Sequence, residues 1–410
     1  MTWTIAKKEI VDNLLSYKFF VVILLASLLI FTSFFILHRD FRGRLADYQL
    51  NKPKPNEAIA DLPPNPLSIF AKGLEDAMTR SFEVHSTGFS VRTGQQSGNI
   101  IFAFFPTPDF AYVVKVVLSL VALLFGFDRI CREREGGTLK LMLSNPLSRA
   151  SLLAGKWLGN FLSLAVPFLL VTLLGVAVMS LDPAIRLTAD GWGRLGLLLA
   201  SSLIYIALFL SLGLFLSTLT RRSSVSLVIL LLIWSSLVFI LPNLGTLLAR
   251  QIVKIPSVQA LSEKRQQIWT REILLQYSDP GSWDERIRRI NREFDQMEED
   301  YRNQFDRLVR TAKAINRLSP AASFVYAATE IAGTGIGEEG RLKREVIRFK
   351  NQFLDEVQRQ QKERSAFAYR YRSVGDVLAA GGLFDLAWLL VIAIVFFSAG
   401  FAAMVRYDVR

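Results

Sequence analysis

Few residues of this chain have types and spacings that support chemistry, and none of them forms a catalytic set. There is one cysteine, Cys131, and there are two histidines, His38 and His85. Neither an intrachain disulfide nor a Cys/His metal cluster can be built from these. The string nearest to a phosphate-binding loop, LLAGKW at 152–157, lacks the leading glycine and has Trp157 where a magnesium-binding hydroxyl belongs. No GxSxG or HExxH occurs either. The glycines at 333, 335, 337 and 340 follow no strand pattern, and Glu338 and Glu339 stand among them, which reads as a flexible linker and not an anion cradle. What remains is REREGGTLKLMLSNPLSR, residues 132–149, which joins a charged cluster, two glycines and a short apolar stretch. Such a segment supports recognition by polar contacts, not bond-making.

The elements around it must hold it in place. The chain has 410 residues, is 51% hydrophobic, and combines a net charge of +12 with a mean hydropathy of +0.32. That combination implies apolar blocks in lipid and charged blocks in water. A basic balance can also suit nucleic acid, but Lys and Arg are spread over all polar segments, which favours membrane loops and no nucleic-acid partner. Six apolar runs, at 19–37, 110–127, 158–181, 195–219, 225–249 and 384–405, are long enough to cross about 30 Å of hydrocarbon as helices. The first is a retained span and not a cleaved signal, because HRDFRGR follows it directly. Pro167 and Pro242 are candidate kinks, and ionisable groups are nearly absent from the spans, with Lys115, Asp128 and Asp385 at their ends. A transporter driven by protons or sodium needs buried carboxylates or broken midplane helices, so any driving free energy must enter from elsewhere.

Orientation follows from the short loops. The loop 128–157 carries Arg129, Arg132, Arg134, Lys140, Arg149 and Lys156, and the turn after the fourth span adds Arg221 and Arg222. Positive residues mark the cytoplasmic side, so both termini are cytoplasmic and residues 38–109 and 250–383 lie outside. Residues 1–18 are too polar to span; Trp3, Ile5, Ile10, Leu14 and Leu15 share a helical face, which predicts a helix in the inner interface. Residues 51–66 are proline-rich and extended, and with the short amphipathic stretch after them form a small cap. In 250–383, apolar positions from Ile287 through Ile290, Phe294, Met297, Tyr301, Phe305, Leu308 and Ala312 to Ile315 alternate spacings of three and four. They predict one helix of roughly 40 Å, opened by a Ser282/Glu285 capping box. A second helix is expected over 341–363, the whole forming an antiparallel helical stalk. The resulting fold class is an all-α membrane protein: six transmembrane helices, an N-terminal interfacial helix and an extracytoplasmic helical domain.

DRICREREGGTLKLMLSNPLSRASLLAGKWLGNF closely resembles the loop between the second and third spans of ABC-2 type permeases, which have a type V exporter-like fold. The match includes Glu133-Arg134-Glu135, Gly136-Gly137-Thr138-Leu139, Pro146 and Gly155-Lys156 at the start of the next span. AKKEIVDNLLSYKFF is similar to the family's connecting helix, and LGLFLSTLTRRSSVSLVILLLIWSSLVFILP to its fourth and fifth spans. PPNPLSIFAKG and LSPAASF point to the subgroup with enlarged outer loops. The resemblance covers roughly two thirds of the chain and implies that residues 128–157 carry a coupling helix that docks on an ABC ATP-binding subunit. Arg132, Glu133, Arg134 and Glu135 would make its polar contacts, with Arg221 and Arg222 forming a second inner loop beside them. Gly136 and Gly137 would permit the sharp entrance to the helix, while Thr138, Leu139, Leu141, Met142 and Leu143 would dock or pack back on the spans. The chain itself would bind no cofactor, ATP and Mg belonging to the partner subunit. A second permease copy or a paralogue would complete the assembly in the bacterial inner membrane.

Three functions are consistent with these features. The first is a permease subunit that couples ATP hydrolysis by a separate subunit to export, where uncharged spans favour a lipidic or amphipathic cargo. The second is a mechanotransducer whose outer stalk regulates an extracytoplasmic protein without transport. The third is a membrane scaffold with no nucleotide coupling.

Overall fold

Long apolar runs bury their backbone polar groups inside helices, and the computed structural model follows that rule. It describes residues 1–50, 57–78, 81–85, 88–91, 108–144, 147–278, 283–360 and 364–406. Among these, six helices are long and apolar enough to cross a membrane: Tyr17–Leu50, Phe110–Glu135, Arg149–Ser180, Ala189–Leu219, Ser223–Ile252 and Leu383–Val405. They are the first to sixth spans below. The second includes a wide turn at Val113–Leu118 and tight turns before its last segment, Cys131–Glu135.

The fourth span is the axis of the bundle. Thr188 caps it by accepting the Gly191 amide at 3.2 Å, and Asp190 in its first turn pairs with buried Arg194. Glycines set its neighbours: a Cβ on Gly126 of the second span would lie 2.9 Å from the Leu214 amide, and Gly213 faces Gly126 in return. The sixth span closes on the other side, with Gly400 against Phe215. Of the fifth span's apolar window only 17% is buried, against 61% for the fourth, so Val228, Leu232, Phe239 and Leu247 point outward. An outward apolar face of this length belongs in hydrocarbon. Pro242 follows a second wide turn, Ser236–Ile240, whereas Pro167 lies in an unbroken helix.

At the end away from residues 128–149, a three-stranded antiparallel sheet forms from β1 (Ile59–Ala60), β2 (Phe82–His85) and β3 (Gly88–Val91), with Phe82 opposite Val91. This sheet is an addition to the all-helical expectation; its strands are too short to leave an alternating pattern. A helix at Ile336–Gln358 covers the sheet, burying Leu342, Val346, Phe349 and Phe353 against Leu62, Met78, Phe82 and Val84. The glycine linker is therefore shorter than expected. Gly333, at φ +77°, ends one helix and Gly335 caps the next, so Gly337 and Gly340 are helical.

The long helix Trp283–Asn316 is present and begins beside Ser282, which lies outside the described residues, as does Pro146. Its antiparallel partner is Val258–Ser278, not the helix at 336–358: Ile290, Phe294 and Met297 pack on Ile268, and Arg271 pairs with Glu293 at 2.6 Å. The helix Pro320–Ala332 leaves this hairpin and enters the main core, where Phe324 stacks on Tyr205 with ring centroids 4.5 Å apart. Its run of alanines allows that close approach.

Candidate functional site

The segment of interest folds as two short helices, Cys131–Glu135 and Thr138–Ser144, joined at Gly136 and Gly137. Gly137 has φ +70°, a conformation that side chains disfavour, and this permits the sharp bend. We call residues 131–144 the lever. Leu139, 2% exposed, is buried in a small cluster with Ile130, Leu152, Leu153 and Met404, and Met142 packs at its edge. Leu141 points the other way and is 69% exposed. Arg132, Thr138, Lys140 and Ser144 are exposed beside it, as are both glycines of the bend. Among the described side chains, Leu141 is thus an apolar knob amid polar groups.

Three of its four leading charges are satisfied within the chain. Glu133 receives the Lys156 amine at 2.6 Å. Arg134 donates to the carbonyls of Thr218 and Thr220, both at 3.0 Å. Glu135 accepts from the Ser223 amide at 3.0 Å and its hydroxyl at 2.7 Å. The Ser217 hydroxyl adds two more ties, accepting from the Ile130 and Cys131 amides. The fourth, Arg132, points outward, its side chain 79% exposed with Asp128 3.8 Å away. Arg221 and Arg222 are exposed in the turn that Arg134 and Glu135 grip. Of the four charges, Arg134 and Glu135 hold the lever on the turn between the fourth and fifth spans, and Glu133 ties it to the third.

Beneath the lever lies a buried charge node that sequence reasoning missed. Lys156, 2% exposed, bridges Glu133 and Glu9, whose Oε1 is 2.8 Å away. Arg129 reaches Glu9 at 3.2 Å and donates to Asn13 Oδ1 at 2.6 Å. Asn13 donates in turn to Asn160 at 3.0 Å and Ser163 at 3.1 Å. Burial pushes the Glu9 carboxyl up, but the Lys156 ammonium and Arg129 guanidinium outweigh it and hold the carboxyl below its ordinary value.

Glu9 and Asn13 come from the first helix, Thr2–Leu14, which lies along the start of the third span. Two glycines make that possible: a Cβ at Gly155 would stand 2.7 Å from Ile5 Cβ, and one at Gly159 would stand 2.7 Å from the Ala6 carbonyl. The Gly155-x-x-x-Gly159 spacing, with Ala6, Glu9 and Asn13 three and four apart, was the available signal. Trp3, Leu14 and Leu15 of the expected apolar face are exposed, while Ile5 and Ile10 are half-buried. Among the described residues no group of three or more His, Cys, Asp and Glu side chains is placed to hold a metal ion.

A bundle of six apolar spans, with a charged segment at one end bonded to a buried charge node, defines a multi-pass membrane protein. A family model for ABC-2 family transporter protein matches residues 3–409, and the chain belongs to that family. It is similar to the probable ABC transporter permease protein NosY of Pseudomonas aeruginosa, with 34% identity over 155 residues, 36% of this chain and 54% of that one. It is also similar to the protein of the same description from Stutzerimonas stutzeri, with 35% identity over 117 residues, 28% of this chain and 40% of the other. The chain thus spans about half the length, or less, of these curated relatives.

Proposed function

We propose that the chain is the membrane-spanning permease subunit of an ABC transporter, coupling ATP hydrolysis in a separate ATP-binding subunit to export of a substrate. The observation that carries this reading is the lever: Leu141 and Arg132 face outward while Glu133, Arg134 and Glu135 fasten its root to three spans. A surface that is exposed at its tip and rigid at its base transmits a push. Residues 128–157 are then cytoplasmic, and the sheet and helical hairpin lie outside the inner membrane. ATP and Mg belong to the partner, and a second permease copy or paralogue completes the pore.

The second reading, a mechanotransducer acting on an extracytoplasmic protein, is favoured by the base of the hairpin. Arg317 clamps Asp385 of the sixth span through two contacts of 2.6 and 3.2 Å, and the Trp388 indole donates to the Arg317 carbonyl at 2.8 Å. Movement of the sixth span would therefore reach the hairpin. The test is reconstitution with the ATP-binding subunit and removal of residues 258–316. ATP-dependent cargo movement that survives the deletion supports export. If no cargo ever moves but an outer partner's activity follows ATP, transduction replaces it. If wild type captures no ATP-binding subunit, both readings fail.

A further inference from the structure

The first helix is folded inside out for a protein in water. Its buried face is small and polar: Ala6, Glu9 and Asn13 lie against Gly155, Gly159, Asn160 and Ser163. Its outward face carries Val11, Leu14 and Leu15, and Tyr17 and Phe20 continue it into the first span; Leu15 is 82% exposed. This polarity is stable only where the outer medium is apolar. Yet Lys7 and Lys8 of this helix and Lys18 at the start of the first span are exposed too, and among the described residues none of them pairs with a carboxylate. Lys7 rests instead over the Trp3 ring, 5.8 Å from its centroid. Asp12 is the one exposed acid on this helix. Apolar side chains and unpaired ammonium groups at one level match a bilayer surface whose phosphates carry net negative charge.

We propose that anionic phospholipid headgroups, bound by Lys7, Lys8 and Lys18, seat the first helix on the third span and thereby hold the lever closed. The path is short. Glu9 follows Lys8 directly, and its two oxygens take Lys156 and Arg129; Lys156 also takes Glu133 at the lever's root. If the first helix lifts, Lys156 and Arg129 lose a carboxylate and the lever's root is loosened. The membrane thus acts on the same node that the lever uses. The proposal deepens the lever reading and rests on residues 131–144 being the element that moves.

The only thiol of the chain, Cys131, reports this directly, because it is fully buried at the first residue of the lever. The full chain is placed in nanodiscs of phosphatidylcholine, or of phosphatidylcholine with an equal share of phosphatidylglycerol, without any ATP-binding subunit. Maleimide alkylation of Cys131 should be slower in the anionic bilayer, roughly fivefold for each lysine that holds a headgroup. Lys7→Gln/Lys8→Gln/Lys18→Gln should alkylate at one fast rate in both. Glu9→Gln should keep its preference for anionic vesicles in flotation but lose the lipid effect on Cys131. Inorganic phosphate added to the neutral discs should change nothing; slowing by free phosphate would overturn the bilayer as the source. Equal rates for wild type in the two bilayers would overturn lipid sensing outright, as would a triple variant that retains the difference. Capture of the ATP-binding subunit, lost on Leu141→Asp, tests the lever reading separately: intact capture with lipid-independent alkylation condemns the lipid proposal alone.

Discussion

Replacing Lys156 by methionine keeps the volume of the side chain and removes the charge at the centre of the node. Its ammonium stands 2.8 Å from Glu9 and 2.6 Å from Glu133, and the residue is 2% exposed. Removing one partner of a buried pair costs about 3–5 kcal/mol, because the other charge is left without compensation. Here Arg129, 3.2 Å from Glu9, retains one carboxylate, and the Glu133 side chain is 19% exposed, so water relieves the other. Both effects place the loss near the low end, about 3 kcal/mol. The loss falls on the closed lever, so the assay is alkylation of Cys131 under conditions where opening limits the reaction. At about 1.4 kcal/mol per tenfold, Lys156→Met should react roughly 100 times faster than wild type. The triple change Glu9→Gln/Glu133→Gln/Lys156→Met removes all three charges of the bridge, while Arg129 keeps Asp128 at 3.8 Å and Asn13 Oδ1 at 2.6 Å, and should return to within about tenfold of wild type. A Lys156→Met rate within about threefold of wild type would refute the node as the lever's lock. So would a triple variant faster than the single one.

Gly159→Leu should push the first helix off the third span at a cost of about 2–3 kcal/mol, seen as faster proteolysis at Lys7 and Lys8, whereas Gly43→Leu, with nothing within 4 Å, should change neither. Leu141→Asp and Arg132→Glu should leave thermal unfolding unchanged and abolish capture of the ATP-binding subunit in a pull-down. At the far end, burial pushes Glu338 up, but Arg341, Arg372 and Tyr369 outweigh it and its carboxyl is lowered from 4.5. A depressed carboxyl stabilises above its unfolded value and loses that as pH falls, so thermal stability should drop below pH 4.5, and Glu338→Gln should flatten that limb. Glu75 has the opposite sign: burial pushes it up to about 7 although Arg44 lies at 3.3 Å. Its contribution is complete below 4.5 and is lost as pH rises through about 7, so Glu75→Gln should raise the midpoint at pH 8 more than at pH 5.

The apolar runs were legible because each span needs an unbroken stretch of hydrocarbon-compatible side chains. Their ends were not, and the third span explains why. Its apolar run is 158–181, but the helix begins at Arg149 and includes Lys156 and Asn160. Hydropathy discards such residues, since it counts the cost of burying them without the partners that cancel it. The partners of Lys156, Glu9 and Glu133, lie over a hundred residues and some twenty residues away in sequence, respectively, and no periodicity connects them. The hairpin had the same fault in another form. A seam at 287–315 states that something packs against it, but not whether 258–278 or 336–358 does. The charged segment at 132–149 stood out because its composition is discontinuous with its surroundings. Its split into an exposed tip and a bonded root depended on where Ser217, Ser223 and the Thr218 and Thr220 carbonyls would fall.

That split explains how a push at the lever can travel. Arg134 and Glu135 do not grip a span in the middle but the turn at 218–223, where the fourth helix ends and the fifth begins. The fourth span is clamped on two sides by glycine contacts, at Gly126 and Gly400, and resists displacement. The fifth is buried over only 17% of its apolar window and passes through the wide turn at Ser236–Ile240, where the helical ladder is already interrupted. If the proposed coupling holds, force applied at the turn moves the fifth span relative to the fourth. Beyond that wide turn, Gly245 has no room for a Cβ because Asn316 lies against it, and Asn316 donates to Thr246 at 3.4 Å and Tyr326 at 2.9 Å. The next residue, Arg317, holds Asp385 of the sixth span. The fifth and sixth spans thus meet at the base of the hairpin. A displacement of the fifth must either carry the sixth with it or break a buried ion pair there, and the first is the less costly.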